Sequence, residues 1–564
     1  MANNERKTLP YRELEIDDDS PTRRHKEKKD EKNWGVPGAV LIVCFMTLPL
    51  LVFLCSGGRL SSTLIWLGDV KVNVVKGWEQ GSNQNSSTPS NNNHTNGLID
   101  GLISPNFDRE SCLSRYESAL YYKTIPYMPS SYLLQKLRNY EALHKKCGPN
   151  TPLYKKSIEQ LNSGHSVELM DCNYVVWIPY LGLGNRILTL VSTFLYAILT
   201  NRVMLIHATD DMVDLFCEPF PDTSWILPPD FPINNIMQLD VNSDVTYRNM
   251  LNKHVISNDP NTKVESLPSY VYVHLSHDIE HSDRLFYCNE DQIIIGKFNW
   301  LLLHSDLYFV PSLYSTPLFE EELGLLFPAK ESIFYLLAHY LIHPTNPVWG
   351  LVTRYYNSYL SKADEKIGVQ IRVFHWVRVS SEVIFQQILD CSNKERVLPE
   401  IDLNGTTASK TNEPKSKAIL VASLYADYYE RFKSMYYEHS VKTGEFVSVY
   451  QPSHEERQQT EIQSHNQKAL AEIYLLSLCD VLMTSAYSTF GYIGYGLAGV
   501  KPIFLITVHD KIPDPPCARA VSMEPCNLTP LLNTCTGNST VEKEKFEQHV
   551  KQCEDVEHGI KLFD

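Results

Sequence analysis

The chain reads as α/β, with parallel sheets covered by helices and arranged as two Rossmann-like halves with a cleft between them. Three observations predict this. Apolar runs of strand length alternate with amphipathic runs of helix length over most of the chain. Hydrophobic residues make up 43% and charged residues 21%, a globular balance that excludes wholesale disorder and collagen-like structure. A length of 564 residues allows two to four domains of ordinary size.

Three segments of different character precede the alternation. Residues 1–35 form a polar tail, in which positions 1–33 carry nine Lys/Arg and nine Asp/Glu. Val36 to Cys55 contains no charge at all. At about 1.5 Å per residue such a run matches the roughly 30 Å of a bilayer core, so 36–56 predicts one transmembrane helix. Arg23, Arg24, Lys26, Lys28, Lys29 and Lys32 precede it, whereas only Arg59 and Lys71 follow within a similar distance. This asymmetry places the tail in the cytoplasm and the body outside it, a single-pass type II arrangement. Residues 57–105 include GSNQNSSTPSNNNHTNG (81–97), which cannot bury a core and reads as a flexible lumenal stem.

Five glycosylation sequons, at Asn85, Asn93, Asn404, Asn527 and Asn538, all follow the apolar run, as expected of a lumenal glycoprotein. Of 13 cysteines, five (Cys479, Cys517, Cys526, Cys535 and Cys553) fall in the last 86 residues. They predict a disulfide-stapled C-terminal segment with at least one free thiol.

The first half, 106–345, contains the strand YVVWIPY (174–180) and then Gly182-Leu183-Gly184-Asn185-Arg186. Ile187, Leu190, Val191, Phe194 and Ile198 follow at helical spacing, and VMLIHA (203–208) is the next strand. The second half, 346–564, is more regular. Its strands are IGVQIRV (367–373), AILVASL (418–424), FVSVYQ (446–451), VLMTS (481–485) and PIFLI (502–506). Helical patterns at 381–391, 425–439 and 465–479, and a short one from Thr489, lie between them. Such alternation makes parallel sheets, which bind ligands beyond the C-terminal ends of their strands.

Those ends carry the residues with chemistry. A net charge of −15 excludes nucleic-acid binding through bulk electrostatics, so any phosphate contact is local. Arg372 closes its strand, and its planar fork suits bidentate contact with a diphosphate. Ser488, Thr489, Phe490 and Gly491 form a second strand-to-helix turn, whose hydroxyls and free N–H groups can cap the helix or receive phosphate oxygens. The glycines of GLGNR permit a tight turn and close backbone approach. Two anion-capable turns and one Arg point to a nucleoside diphosphate. No Walker motif, body DxD motif or metal-ligand cluster stands in the sequence. Asp17-Asp18-Asp19 lies in the tail, so no metal and no cofactor is expected.

The segments GLGNR (182–186), LTNRV (199–203), LFCEPFP (215–221), IGVQIRVF (367–374), STFGYIGYGLAGVKP (488–502) and SMEPC (522–526) together resemble plant xyloglucan fucosyltransferases over roughly 110–564. The resemblance implies a two-lobed GT-B glycosyltransferase in the Golgi membrane that inverts the fucose of GDP-β-L-fucose without a divalent metal. It implies a galactosylated cell-wall polysaccharide as acceptor. An arabinogalactan-protein acceptor and a non-catalytic glycan-binding role stay open, as do a homodimer and a complex with other Golgi glycosyltransferases. Carried over by position, Gly184, Asn185, Arg186, Arg372, Ser488, Thr489, Phe490 and Gly491 hold the donor. Arg372 and Asp306 are the catalytic pair, with Asp306 polarising the acceptor hydroxyl directly or through a water. Leu181, where the family often has a small or polar residue, and the loop His375–Ser380 depart from the family pattern.

Overall fold

Tyr174–Ile178 is buried at every position, which a strand achieves only inside a sheet covered on both faces. In the computed structural model, which describes residues 99–122, 127–166, 170–277, 282–403, 415–530, 535 and 540–564, this strand is β1. It pairs in parallel with β2 (Val203–Ile206) and β4 (Trp300–Ser305), and β4 pairs with β3 (Tyr270–Leu275), giving the order β2-β1-β4-β3. Tyr174 stands opposite both Val203 and Trp300.

The second sheet has the order β10-β9-β8-β5-β6-β7. Its strands are β5 (Glu365–Ile371), β6 (Ser416–Ser423), β7 (Phe446–Tyr450), β8 (Val481–Ser485), β9 (Ile503–Leu505) and β10 (Cys517–Arg519). All are parallel except the edge strand β10. The parallel α/β class and the strands read from the sequence are therefore present.

The helices that matter for the site are α1 (Leu183–Leu199), α2 (Ile333–Leu341), α3 (Ser381–Glu395), α4 (Ala426–Glu438), α5 (Gln463–Ser477) and α6 (Thr489–Ala498). Leu190 and Phe194 of α1, Phe334 of α2, Leu476 of α5 and Tyr495 of α6 belong to one buried apolar cluster. A Cβ on Gly496 would lie 2.4 Å from the Phe334 ring, so α6 approaches α2 as closely as a glycine allows. Both sheets thus share one core within the unit 94–564.

The unit 1–93 lies wholly outside the described residues, and with it the expected span 36–56 and the sequons Asn85 and Asn93; Asn404 and Asn538 lie outside them too. Among the described residues no helix is long and apolar enough to cross a membrane. Asn527 is a correction. It is 1% exposed and its Nδ2 donates to Ser312 Oγ at 2.9 Å, so this sequon offers no amide to a glycan in the folded chain.

The stapled C-terminal segment with a free thiol is present, and two of its three bridges lead out of it. Cys526–Cys553 closes it on itself, but Cys535 bridges to Cys288 and Cys517 to Cys391, while Cys479 is free and buried. Cys112–Cys217 and Cys147–Cys172 brace the first half. Cys526 and Cys553 also lie close to Asp555, but both sulfurs are in the disulfide and neither is a thiolate for a metal. Past β10 the chain returns to the first half. Tyr308 Oη and the Phe334 N–H both donate to the Glu524 carboxyl at 2.7 Å, and burial pushes that carboxyl up to about 8. The boundary expected at 345/346 separates the two sheets but not the packing of the last forty residues.

The stem also ends earlier than residue 105. Leu102 and Ile103 are 0% and 3% exposed, and the Leu102 carbonyl accepts from Arg138 Nη2 at 2.6 Å. A fragment beginning at residue 105 loses these anchors. Relative to one beginning at residue 99, it is expected to melt at a lower temperature and to lose about 2–5 kcal/mol, the usual effect of removing one buried leucine. Identical melts of the two fragments would show that the packing of Leu102 carries no weight.

Candidate active site

Two helices begin at the C-terminal ends of central strands, one in each sheet. β1 leads through Leu181 into α1, and β8 leads through Tyr487 into α6. Leu181 has φ 57° and Tyr487 φ 60°, both in the left-handed region that side chains avoid. The sharp turn expected of the GLGNR glycines therefore falls on Leu181. Gly182 is the N-cap, and Gly184, Asn185 and Arg186 already belong to the first turn of α1. Ser488 caps α6, with the Gly491 N–H donating to its Oγ at 3.4 Å.

The two helix starts touch. A Cβ on Gly184 would lie 2.5 Å from Thr489 Oγ1 and 3.0 Å from Phe490 N, so only glycine admits this contact. Asn185 spans the junction. Its Nδ2 donates to the Asp306 carbonyl at 3.1 Å, and its Oδ1 accepts from Thr489 Oγ1 at 3.1 Å. Phe490 is half-buried against the shared core. A Cβ on Gly491 would crowd Thr484 and Gln370, so this glycine seats α6 on its sheet.

Arg372 follows β5. Its N–H donates to Ser485 Oγ at 3.0 Å, and its guanidinium carbon lies 5.4 Å from the centre of the Phe374 ring. Phe374 stacks on Trp376 at 4.3 Å and 11°. Phe374, backed by Trp376 of the divergent loop, thus forms an aromatic support beside the arginine. Arg372 and the Ser488–Thr489 turn follow the neighbouring strands β5 and β8, as the sequence anticipated.

Arg186 is placed differently from the expectation. Nη1 pairs with Asp211 and Nε donates to the Leu181 carbonyl at 2.7 Å, in a buried position. Asn466 of α5 donates to the same Asp211 carboxylate at 3.0 Å. This guanidinium holds the strained Leu181 turn and ties α1 to α5 rather than facing a donor.

Asp306 lies just past β4 and is buried. Its Oδ1 accepts from the backbone N–H of His277 at 3.0 Å, and its Oδ2 pairs with His277 Nδ1. His277, just past β3, is the residue that the sequence reading missed. The criterion that found Arg372, a polar residue closing an apolar strand, also applies to YVYVHLSH (270–277), but that strand went unrecognised. Beside it, His274 and His304 stack at 4.6 Å, and Tyr180 packs on His304 at 4.5 Å. Burial and then His274 push the His304 imidazole down to about 3, so it is neutral.

The family model for xyloglucan fucosyltransferase matches residues 70–536. The chain belongs to the xyloglucan fucosyltransferase family. It is 49% identical over 469 residues to a galactoside 2-alpha-L-fucosyltransferase of Pisum sativum, covering 83% of this chain and 82% of that protein. To a galactoside 2-alpha-L-fucosyltransferase of Arabidopsis thaliana it is 50% identical over 467 residues, covering 82% and 83%. A solved structure of an Arabidopsis thaliana FUT1 mutant in complex with GDP superposes with a TM-score of 0.76 at 49% identity, covering 83% of this chain and 100% of that one.

In this member of the xyloglucan fucosyltransferase family, Gly184→Ala is expected to force α1 and α6 apart, with a stability loss of about 1–3 kcal/mol by overpacking. Gly324→Ala is the control, because a Cβ there meets nothing within 4 Å. Thermal melts of the two variants measure the difference, and equal melts would mean that the junction yields without cost.

Proposed function

We propose that this chain is a galactoside α-1,2-L-fucosyltransferase, moving L-fucose with inversion from GDP-β-L-fucose to a terminal galactose of xyloglucan or a related cell-wall glycan. The observation that carries the reading is the meeting of two helix N-termini beside Arg372 at the C-terminal strand ends. Each N-terminus carries about half a positive charge, and the two adjoining starts together attract an anion beside their junction. The GDP named with the solved relative supplies such an anion.

In that reading GDP lies along the ends of β5 and β8, in the lobe of a GT-B arrangement that holds the second sheet. The C–O bond between fucose and diphosphate breaks, the sugar gains oxocarbenium character, and negative charge grows on GDP. The guanidinium of Arg372 and the N–H groups that open α6 stabilise that charge. Inversion brings the acceptor hydroxyl to the opposite face of the fucose, on the side of the first sheet, where His277 and Asp306 lie. The uncharged run 36–55 and the Lys/Arg asymmetry around it support a Golgi membrane anchor with the body in the lumen.

The test is the full-length chain assayed for GDP release and fucose transfer with GDP-fucose and galactosylated xyloglucan. Arg372→Lys keeps the charge but loses the fork, so it is expected to retain a small part of the activity. Arg372→Ala is expected to lose on the order of 2–4 kcal/mol of transition-state stabilisation, with weaker GDP binding by calorimetry and little change in acceptor affinity. A folded Arg372→Ala protein with normal GDP affinity and turnover would remove the arginine from the site.

A further inference from the structure

Three tyrosines form a row at the free edge of the second sheet, away from the residues assigned to transfer. β7 is that edge strand, and Tyr450 is its last residue. The helix Asn346–Tyr355 runs on into a turn of π-helix, Tyr356–Leu360, a geometry that is rare and frequent at functional sites. Tyr356 meets Tyr121 edge-on at 5.2 Å. Tyr355 and Tyr359, four positions apart, meet each other at 4.7 Å. Tyr359 also meets Tyr450 at 5.4 Å, so the three rings run side by side.

The row is rigid. Tyr355 and Tyr450 are half-buried and packed on the large apolar core, whereas Tyr359 touches both and is 50% exposed. The chain leaving Tyr450 is fixed as well. Gln451 Nε2 donates to the Ser423 carbonyl at 2.9 Å, and the Ser453 N–H donates to the Glu472 carboxyl of α5 at 3.0 Å. Among the described residues no protein group bonds to the three tyrosine hydroxyls.

Rigid rings with open hydroxyls suit a pyranose. The C–H face of a sugar packs on an aromatic face, its hydroxyls exchange hydrogen bonds with phenols, and tyrosine loses little rotamer freedom on binding. A stable protein interface needs roughly 800 Å² on each partner, more than three rings of at most about 150–250 Å² each supply when two are half-buried.

We propose that Tyr355, Tyr359 and Tyr450 form a second glycan-binding site, which holds the neutral glucan backbone of a polysaccharide acceptor while one of its galactoses occupies the active site. The inference takes its ligand from the fucosyltransferase reading and adds a surface outside the candidate active site. One polysaccharide chain reaches both places. Gln458, eight residues after Tyr450, adjoins the start of α1, where a Cβ on Gly182 would meet its Nε2 at 2.8 Å. Eight extended residues span at most about 29 Å, a distance that several linked sugars cover. Engagement of the backbone makes the galactose encounter intramolecular, which lowers the apparent KM of the polymer and leaves the chemistry unchanged.

The test uses the full-length chain. Transfer from GDP-fucose to a short galactosylated xyloglucan oligosaccharide decides the underlying reading, and its absence would remove that reading. Xyloglucan stripped of galactose has no position for transfer, so retardation of the protein in a gel containing that polymer decides the inference. Wild type is expected to be retarded. Tyr359→Ala and Tyr450→Leu are expected to weaken this binding about fivefold or more, as loss of a stacking ring does. Tyr359→Phe keeps the aromatic face and is expected to stay within about threefold of wild type. In transfer assays the first two variants are expected to raise KM for the galactosylated polymer, while kcat, GDP affinity and KM for the short oligosaccharide hold within about twofold. Tyr450→Leu keeps an apolar anchor at the end of β7, and Tyr359 is outside the core, so both are expected to melt close to wild type. Wild type that ignores the stripped polymer would overturn the proposal. So would a Tyr359→Ala protein that melts and binds the polymer as wild type does, or equal KM losses for polymer and oligosaccharide. A dimer in sedimentation that Tyr359→Ala splits would assign the rings to a second copy and would overturn it too.

Discussion

One amide side chain holds the catalytic geometry together. Asn185 gives its N–H to the carbonyl of Asp306 and receives the hydroxyl of Thr489, so residues from three elements and two sheets are set relative to one another by its two hydrogen bonds. Each bond contributes only about 1 kcal/mol net, yet the arrangement they fix is electrostatically unfavourable by itself. Two helix N-termini face one another, and their partial positive charges repel. The missing Cβ of Gly184 lets the helices come this close, and Leu181 and Tyr487 accept left-handed backbone to aim them. Strain and like charge concentrated at one place are what a preorganised anion site exhibits, with their cost carried by packing elsewhere.

That packing is the helical layer between the sheets, and a buried ion pair completes it. Arg186 would be costly to bury alone, but Asp211 neutralises it, and Asn466 and the Leu181 carbonyl supply further hydrogen bonds. The cluster joins the helix after β1 to a helix of the second half. The loop before α5 presses on the same place, since a Cβ on Gly182 would meet Gln458 Nε2 at 2.8 Å. Hydrogen bonds and glycine contacts therefore cross between the halves near the strand ends, anchored on an ion pair within the first half. A structure linked in this way behaves there as one body rather than as two lobes on a free hinge.

Much of the architecture was legible in the amino-acid order because parallel strands buried on both faces read as unbroken apolar runs. The strand before GLGNR and four of the five from 367 to 506 have that form, while β7 is a half-exposed edge strand. β3 and β4 were overlooked because Tyr272, His274 and His304 interrupt theirs with groups that find partners only in the folded chain. β10 is three residues long and antiparallel, too short for any period. At the site, Arg372 and the Ser488 turn were readable from their position at strand ends. Arg186 was misjudged because its partner Asp211 lies 25 residues away beyond a strand. Asp306 was found without His277, the partner of its carboxylate. Sequence spacing shows which residue types stand at a sheet edge, whereas partners are set by which edges meet.

The return of the C-terminal segment to the first half has a consequence for the order of synthesis. Cys288 waits for Cys535, 247 residues later, and Tyr308, Ser312 and Phe334 wait for Glu524 and Asn527. At roughly 5–20 residues per second, that interval is on the order of 12–50 seconds. Throughout it the nascent first half carries an unpaired thiol and an uncovered apolar flank, the features that holding chaperones and oxidoreductases recognise. Its last forty residues act as the latch of the first half, and a ribosome that stops just short of residue 522 leaves behind a chain whose two large sheets are complete and whose first half is still open.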